Sequence, residues 1–278
     1  LEEPLPDRIK ASLFDVIFSG LGVQHDEQAG YLQTRTITEQ DRTLYALCRP
    51  ERLLELTWSY TVFDAGVRKI ARYQQYFAVR RILGRVARPA EDGRRRGGIV
   101  WHTQGSGKSL TMVMLARALA MHPAIRNARI VLVTDRVDLD KQLRNTFAAC
   151  GLTPERATSG RHLLSLLAED QSHIVTTLVH KFDKALAHGQ FQDMSRDIFV
   201  LVDETQRHQL GNHAARMRQM LPNACYIGFT GTPLLAKEKS DVQRFGGIID
   251  TYAIDQAVAD GAIVPLLYEG RMVELEQN

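Results

Sequence analysis

Cysteine is scarce, with Cys48, Cys150 and Cys225 the three in 278 residues. They are far apart and show no Cys-x-x-Cys spacing. That excludes a disulfide framework or a cysteine-built zinc site and fits a reducing, cytoplasmic setting. A dominant charge is missing too. Thirty-five Lys and Arg face 32 Asp and Glu, a net +3, so bulk charge makes no case for nucleic acid. No apolar run approaches the roughly 20 residues that span a bilayer. The opening Leu1-Glu2-Glu3-Pro4-Leu5-Pro6-Asp7 is acidic and proline-bearing, unlike a secretory signal. No membrane partner is expected. What remains, 44% hydrophobic and 24% charged residues, is the balance of a soluble globular protein. Seven arginines crowd between Arg80 and Arg96, a pattern that reads as a solvated helix end and loop.

Two regimes follow one another along the chain. Up to about residue 96 there is no regular strand–helix alternation. Leu44, Leu47, Leu53, Leu54 and Leu56 give a partly helical pattern, and Ile70 to Leu83 reads as a helix. A loop by composition, Arg88 to Gly98, follows. Beyond it short apolar runs alternate with helical stretches. The runs are Ile99–Trp101, Ile130–Val133, Ile174–Val175, Ile198–Val202 and Tyr226–Phe229, and Leu110–Met121 and Leu139–Ala149 are the helices between them. Continuous apolar runs suit strands buried on both faces of a parallel sheet. Their alternation with helices predicts a layered α/β domain.

The chemistry begins at Trp101-His102-Thr103-Gln104-Gly105-Ser106-Gly107-Lys108-Ser109. The tail is a phosphate-loop ending, but His102 stands where the usual pattern has glycine. That costs little if the backbone there need not take φ > 0. Strand, glycine-bearing turn and helix follow in the order that aims backbone N–H groups and a helix N-terminus at phosphate oxygens. Lys108 would reach the β- and γ-phosphates and Ser109 would ligate Mg²⁺. The run Thr103 to Leu110, comprising Thr103, Gln104, Gly105, Ser106, Gly107, Lys108, Ser109 and Leu110, is the candidate ATP-binding segment.

Ile198–Val202 delivers Asp203-Glu204 to a strand end, expected on a strand neighbouring the phosphate loop. Asp203 would hold Mg²⁺ and Glu204 would orient and deprotonate the attacking water. Thr230-Gly231-Thr232-Pro233 follows the strand Tyr226–Phe229. Its small hydroxyl residues can hydrogen-bond the carboxylates and couple nucleotide state to another surface; a plain Gly-Pro turn is the competing reading.

The ordered set of Trp101–Ser109, Thr134–Asp140, Thr176-Thr177, Asp203-Glu204-Thr205-Gln206-Arg207 and Thr230–Pro233 resembles the first motor lobe of superfamily 2 helicases and translocases. In that superfamily histidine is a variant of the loop's first position. The wording of Gly97–Met112, Leu132–Leu143, Thr230–Leu234 and Thr251–Arg271 is similar to the motor (R) subunit of type I restriction–modification enzymes. This resemblance covers roughly residues 50–271. It implies a RecA-like P-loop NTPase domain with a mostly parallel central sheet, spanning 69–278. Residues 1–68 would be a mainly helical lead-in from an upstream nuclease region.

The resemblance also implies residue roles. Gln75, with Gln74 as the alternative, would read adenine through its amide. Arg207 joins Lys108, Asp203 and Glu204 in catalysis. Gln206, Thr230, Gly231 and Thr232 would couple the lobes. Gln206 stands where the family often has histidine and cannot titrate near neutral pH. Asp135, Arg136, Thr176 and Thr177 match motifs that touch the DNA backbone, where Arg and Thr position without reading sequence.

Two features of such enzymes are missing from these residues. None of the eight lysines has Asp or Glu two positions before it, so no PD-(D/E)xK nuclease signature is present. No Gln-x-x-Gly-Arg-x-Gly-Arg-like segment supplies an arginine finger, a device that gives about 10³–10⁵ in rate. The expected activity is ATP hydrolysis with Mg²⁺, coupled to double-stranded DNA translocation in a complex with specificity and methylation subunits and a second motor lobe. Turnover by the chain alone is expected to be very slow. Another superfamily 2 helicase or remodelling translocase, a nucleotide-dependent binding module and a small-substrate kinase are the competing classes.

Overall fold

The computed structural model describes residues 38–169, 173–189, 191–203, 210–231, 242–243 and 245–264, with backbone alone at Asp41 and 210–214. The chain divides into two compact units, Leu1–Trp58 and Ser59–Asn278. In the first unit the described residues form two helices, α1 (Glu39–Cys48) and α2 (Pro50–Trp58).

The second unit opens on an antiparallel hairpin of β1 (Thr61–Asp64) and β2 (Val67–Ile70). Its two-residue turn places Ala65 at φ 49° and Gly66 at φ 83°, the double positive φ of a type I′ turn. Asn-Gly or Asp-Gly normally announces this turn; Ala-Gly does not, and the hairpin falls where sequence suggested the end of a helical lead-in. Buried Val62 anchors it. Arg117 donates to the Thr61 carbonyl at 2.8 Å, and the Ala65 N–H to Ala149 O at 3.1 Å. The hairpin thus belongs with the compact unit Ser59–Asn278.

The remaining elements alternate. They run α3 (Tyr73–Val86), β3 (Gly98–His102), α4 (Lys108–Ala120), β4 (Arg129–Thr134), α5 (Val137–Ala149), β5 (Glu155–Arg156), α6 (Gly160–Ala168), β6 (Ile174–Leu178), α7 (His180–Leu186), β7 (Ile198–Asp203), α8 (Leu210–Met220), β8 (Cys225–Thr230), β9 (Ile248–Tyr252) and α9 (Ile254–Ala259). Seven strands form one sheet in the order β5-β6-β4-β7-β8-β3-β9. Every pairing in it is parallel. β4 and β8 are buried at every residue, and β7 at all but its last. That is the burial expected where helices cover both faces.

The five apolar runs of the sequence are all strands. The two strands of this sheet without such a run are at its edges: β5 has two residues and β9 mixes exposed, intermediate and buried positions. Because the sheet is parallel, the C-terminal ends of its strands share one edge, where open α/β sheets bind ligands.

Candidate functional site

The phosphate loop leaves this edge between β3 and α4. Gly105 and Gly107 sit at φ 84° and 90°, and Gly107 caps α4 in the left-handed region. Ala65 is the one non-glycine of positive φ among the described residues, so His102 meets the condition under which its missing glycine costs little. The N–H groups of the first turn of α4 have no intrahelical partner by construction. Ser106 Oγ is buried in the loop with no partner among the described residues, while Gln104 and Gly105 are exposed. Lys108 Nζ donates to the His102 carbonyl at 3.3 Å. A left-handed glycine turn, a buried unmatched hydroxyl and a lysine over a helix N-terminus fit a polyphosphate.

Asp203 ends β7, partly exposed. β7 does not neighbour β3, as the sequence suggested, because β8 lies between them. Hydrophobic runs reveal strands but carry no strand order. β8 fills the gap with function-bearing atoms: buried Thr230 pairs in register with Trp101, and Gly231 follows. A Cβ on Gly231 would lie 2.8 Å from Lys108 Nζ and 3.3 Å from the Gln104 backbone nitrogen. Lys108, Ser109, Asp203, Thr230 and Gly231 therefore converge on one sheet edge. Glu204, Thr205, Gln206, Arg207, Thr232 and Pro233 lie outside the described residues. Oxygen donors from Ser109 and Asp203 suit Mg²⁺, which takes one or two carboxylates and leaves other positions to water and substrate phosphates.

Gln75 has a structural task ahead of any adenine contact. Its Oε1 accepts from the Arg72 N–H at 2.9 Å and its Nε2 donates to the Gly107 carbonyl at 3.1 Å, bracing the loop against α3. Gln74 is equally buried, at 4% exposure, and its Nε2 has no partner among the described residues. Of the two, Gln74 holds the unmatched amide.

The four candidate DNA-contact residues separate into two pairs. Asp135 and Arg136 follow β4, with Arg136 exposed. Thr176 and Thr177 lie inside β6, each 1% exposed, and Thr177 Oγ1 donates to Leu178 O at 3.3 Å. The strand as described covers both hydroxyls, so a phosphate contact through them would need the end of β6 to open.

Sequence reasoning missed a buried network behind the loop. His102 is 0% exposed, and its Nε2 lies 2.7 Å from Asp250 Oδ2 on β9. Arg81 of α3 holds the other oxygen of Asp250. Burial, with Lys108 and Arg81 nearby, lowers the His102 pKa to about 4. The ring is therefore neutral, and its Nε2–H donates to the carboxylate. Tyr252 packs edge-on against the imidazole at 5.8 Å, and its hydroxyl donates to Asp260 at 2.9 Å. No motif marked Asp250; β9 was not recognised as a strand. Of the clustered arginines, Arg81, Arg85 and Arg95 have partners within the protein, in Asp250, the Gly246 carbonyl and Asp197, and of these the Arg95 side chain is largely buried.

The family model for the SWI2/SNF2 ATPase matches residues 74–278. The chain is 34% identical over 266 residues to the type I restriction enzyme HindI endonuclease subunit of Haemophilus influenzae, covering 86% of this chain and 25% of that protein. It is also 34% identical over 244 residues to a putative type I restriction enzyme MjaIXP endonuclease subunit of Methanocaldococcus jannaschii, covering 86% and 23%. The chain thus spans about a quarter of the length of these relatives. Among solved structures, a nuclease-deletion mutant of the Type ISP restriction-modification enzyme LlaGI superposes with TM-score 0.52 at 15% identity, over 70% of this chain and 21% of that one. The UvsW helicase of bacteriophage T4 gives 0.50 at 15% identity, over 86% and 77%. Both share the fold. With its glycine turn, its lysine and its strand-end carboxylate on one edge of a parallel sheet, the chain belongs to the SWI2/SNF2 ATPase family.

Proposed function

We propose that the chain is the ATP-binding and hydrolysing motor lobe of a type I restriction endonuclease subunit, driving double-stranded DNA translocation before cleavage. One observation carries the chemistry: Lys108, held on the His102 carbonyl and packed against Gly231, lies on the sheet edge where Asp203 ends its strand. The loop N–H groups and Lys108 bind the β- and γ-phosphates. Ser109 and Asp203 hold Mg²⁺, which when bound offsets phosphate charge. Glu204 orients the attacking water and accepts its proton; Arg207 and Gln206 act beside it. Gln74 is the better adenine reader, because the Gln75 amide is engaged with the loop. Thr230, Gly231 and Thr232 pass the state of the site toward the surface carrying Asp135 and Arg136.

The relatives' names, type I restriction enzyme endonuclease subunits, support the DNA substrate; specificity and methylation subunits complete the complex in this reading. A bacterial or archaeal cytoplasm is the matching setting. Among the described residues no helix is long and apolar enough to cross a membrane.

Titration calorimetry with ATP and Mg²⁺ tests the reading. The protein is expected to bind and Lys108→Ala to lose binding, whereas unchanged affinity in that variant would remove the site. Asp203→Asn is expected to keep nucleotide binding and lose Mg²⁺-dependent turnover. The family match equally admits a remodelling translocase. In the full-length protein, stimulation of ATP hydrolysis by double-stranded DNA but not RNA separates these DNA motors from an RNA helicase.

A further inference from the structure

His102 is joined to the site twice. Its carbonyl receives the Lys108 ammonium at 3.3 Å, and its imidazole is fixed to Asp250 at 2.7 Å. The second link depends on an irregularity in β9. Ile99 pairs with Ile248, but Val100 pairs with Asp250, so Ile249 is an extra residue in the ladder. Successive strand residues face opposite sides, and a one-residue slip exchanges the faces. Without the bulge, Asp250 would share a face with Trp101. With it, Asp250 shares the face of Val100 and His102. Bulges next to active sites re-aim side chains in this way. The same strand end is fastened again where the Thr103 N–H donates to Tyr252 O at 2.9 Å.

The network is a poor way to gain stability. The Asp250 side chain is 3% exposed and that of His102 0%, and His102 Nδ1 is buried with no partner among the described residues. Apolar side chains of similar volume would avoid the cost of drying these groups. What the network does supply is direction. Arg81 and Asp250 set the imidazole, the imidazole sets the end of β3, and the end of β3 presents the carbonyl that holds Lys108.

We propose that Asp250 is a positioning residue for the phosphate-binding lysine, acting through His102 to fix the β3 carbonyl on which Lys108 rests. This rests on the reading of the loop as an ATP site. Misplacing a binding group by about 1 Å can cost on the order of a hundredfold in a reaction, so a loosened strand end shows in nucleotide binding before it shows in folding.

The test measures ATP–Mg²⁺ affinity by calorimetry and melting temperature on the same variants. His102→Leu combined with Asp250→Leu is expected to melt no lower than the parent and to bind ATP about tenfold or more weakly. His102→Gln, whose amide can still donate to Asp250, is expected to bind within about threefold of the parent. Unchanged affinity in the double leucine variant, or equal loss in the glutamine variant, overturns the proposal. If the double variant does not fold, Arg81→Met decides. That arginine's side chain is 59% exposed, so its replacement opens no cavity in the core, and about threefold weaker binding is expected; unchanged binding overturns the proposal. If Lys108→Ala abolishes binding while none of these variants alters it, the positioning role alone fails. If the parent protein binds no ATP, the phosphate-loop reading fails, and this inference with it.

Discussion

Gln75 and Gly107 are bound across the loop: the side-chain Nε2 donates to the main-chain carbonyl at 3.1 Å, and a Cβ on Gly107 would lie 2.7 Å from that same nitrogen. Gly107 also sits at φ 90°, a region that costs an L-residue about 1–2 kcal/mol. Gly107→Ala therefore meets two penalties at once. It is expected to lower the melting temperature and to abolish ATP binding, whereas Gln75→Ala, which removes the brace but not the turn, should weaken binding only partly. Calorimetry and thermal melting of the two variants check the order. Equal binding by parent and Gly107→Ala would contradict the role given to the turn.

Gly231→Ala offers the opposite balance. Its added methyl would meet Lys108 Nζ at 2.8 Å, the far end of a flexible side chain that can move aside. The stability change is expected to stay within about 0.5 kcal/mol. The displaced ammonium leaves its place over the loop, so ATP affinity should fall by roughly tenfold. Titration of both proteins at one temperature reads this. A large melting shift with intact affinity would mean that Gly231 serves the fold and not the lysine.

The buried imidazole of His102 predicts a pH dependence. In the folded protein its pKa is about 4 against 6.5 for an exposed histidine, because burial, Lys108 and Arg81 disfavour the cation. Above pH 6.5 both states carry a neutral ring, and histidine contributes no pH dependence. As pH falls from 6.5 toward 4 the unfolded chain takes a proton that the folded chain refuses, so stability is lost. The full loss is about 3 kcal/mol. His102→Gln cannot titrate, so its stability advantage over the parent should grow across that window and level off below pH 4. Denaturant melts at several pH values measure the difference. Parallel curves for the two proteins would show the imidazole to be charged or exposed.

How much of this was legible in the sequence depended on whether a feature was local. The five apolar runs and the turn from His102 to Lys108 carry their own signals, and all became strands and loop. Strand order did not, because β8 enters between β3 and β7 only through tertiary pairing. β9 was hidden because an edge strand with one exposed face lacks a continuous apolar run. The hairpin was hidden because Ala65-Gly66 is an uncommon composition for its turn. The arginine cluster read as solvated charge, yet Arg95 side-chain exposure is 11%; its partner Asp197 lies 102 residues away, beyond any pattern in the chain. For the same reason Asp250 is visible only once β9 lies against β3. Thr176 and Thr177 show the converse, a motif match that carries no sign that the sheet buries its hydroxyls.

That burial yields a prediction about DNA. Of the four residues matched to backbone-contact motifs, Arg136 is exposed at the N-terminus of α5, and Thr176 and Thr177 are 1% exposed. An arginine contacting a phosphate releases counterions, and its loss should reduce the slope of log affinity against log salt by about 0.9. Arg136→Ala is therefore expected to weaken double-stranded DNA binding uniformly across sequences and to flatten the salt dependence by about that amount. Thr177→Val keeps the shape of a buried residue and should leave both affinity and slope unchanged. Fluorescence anisotropy with two unrelated duplexes at several salt concentrations reads all three proteins. A reduced slope in Thr177→Val would mean that the end of β6 opens when DNA binds; an unchanged slope in Arg136→Ala would move the DNA contact away from the loop after β4.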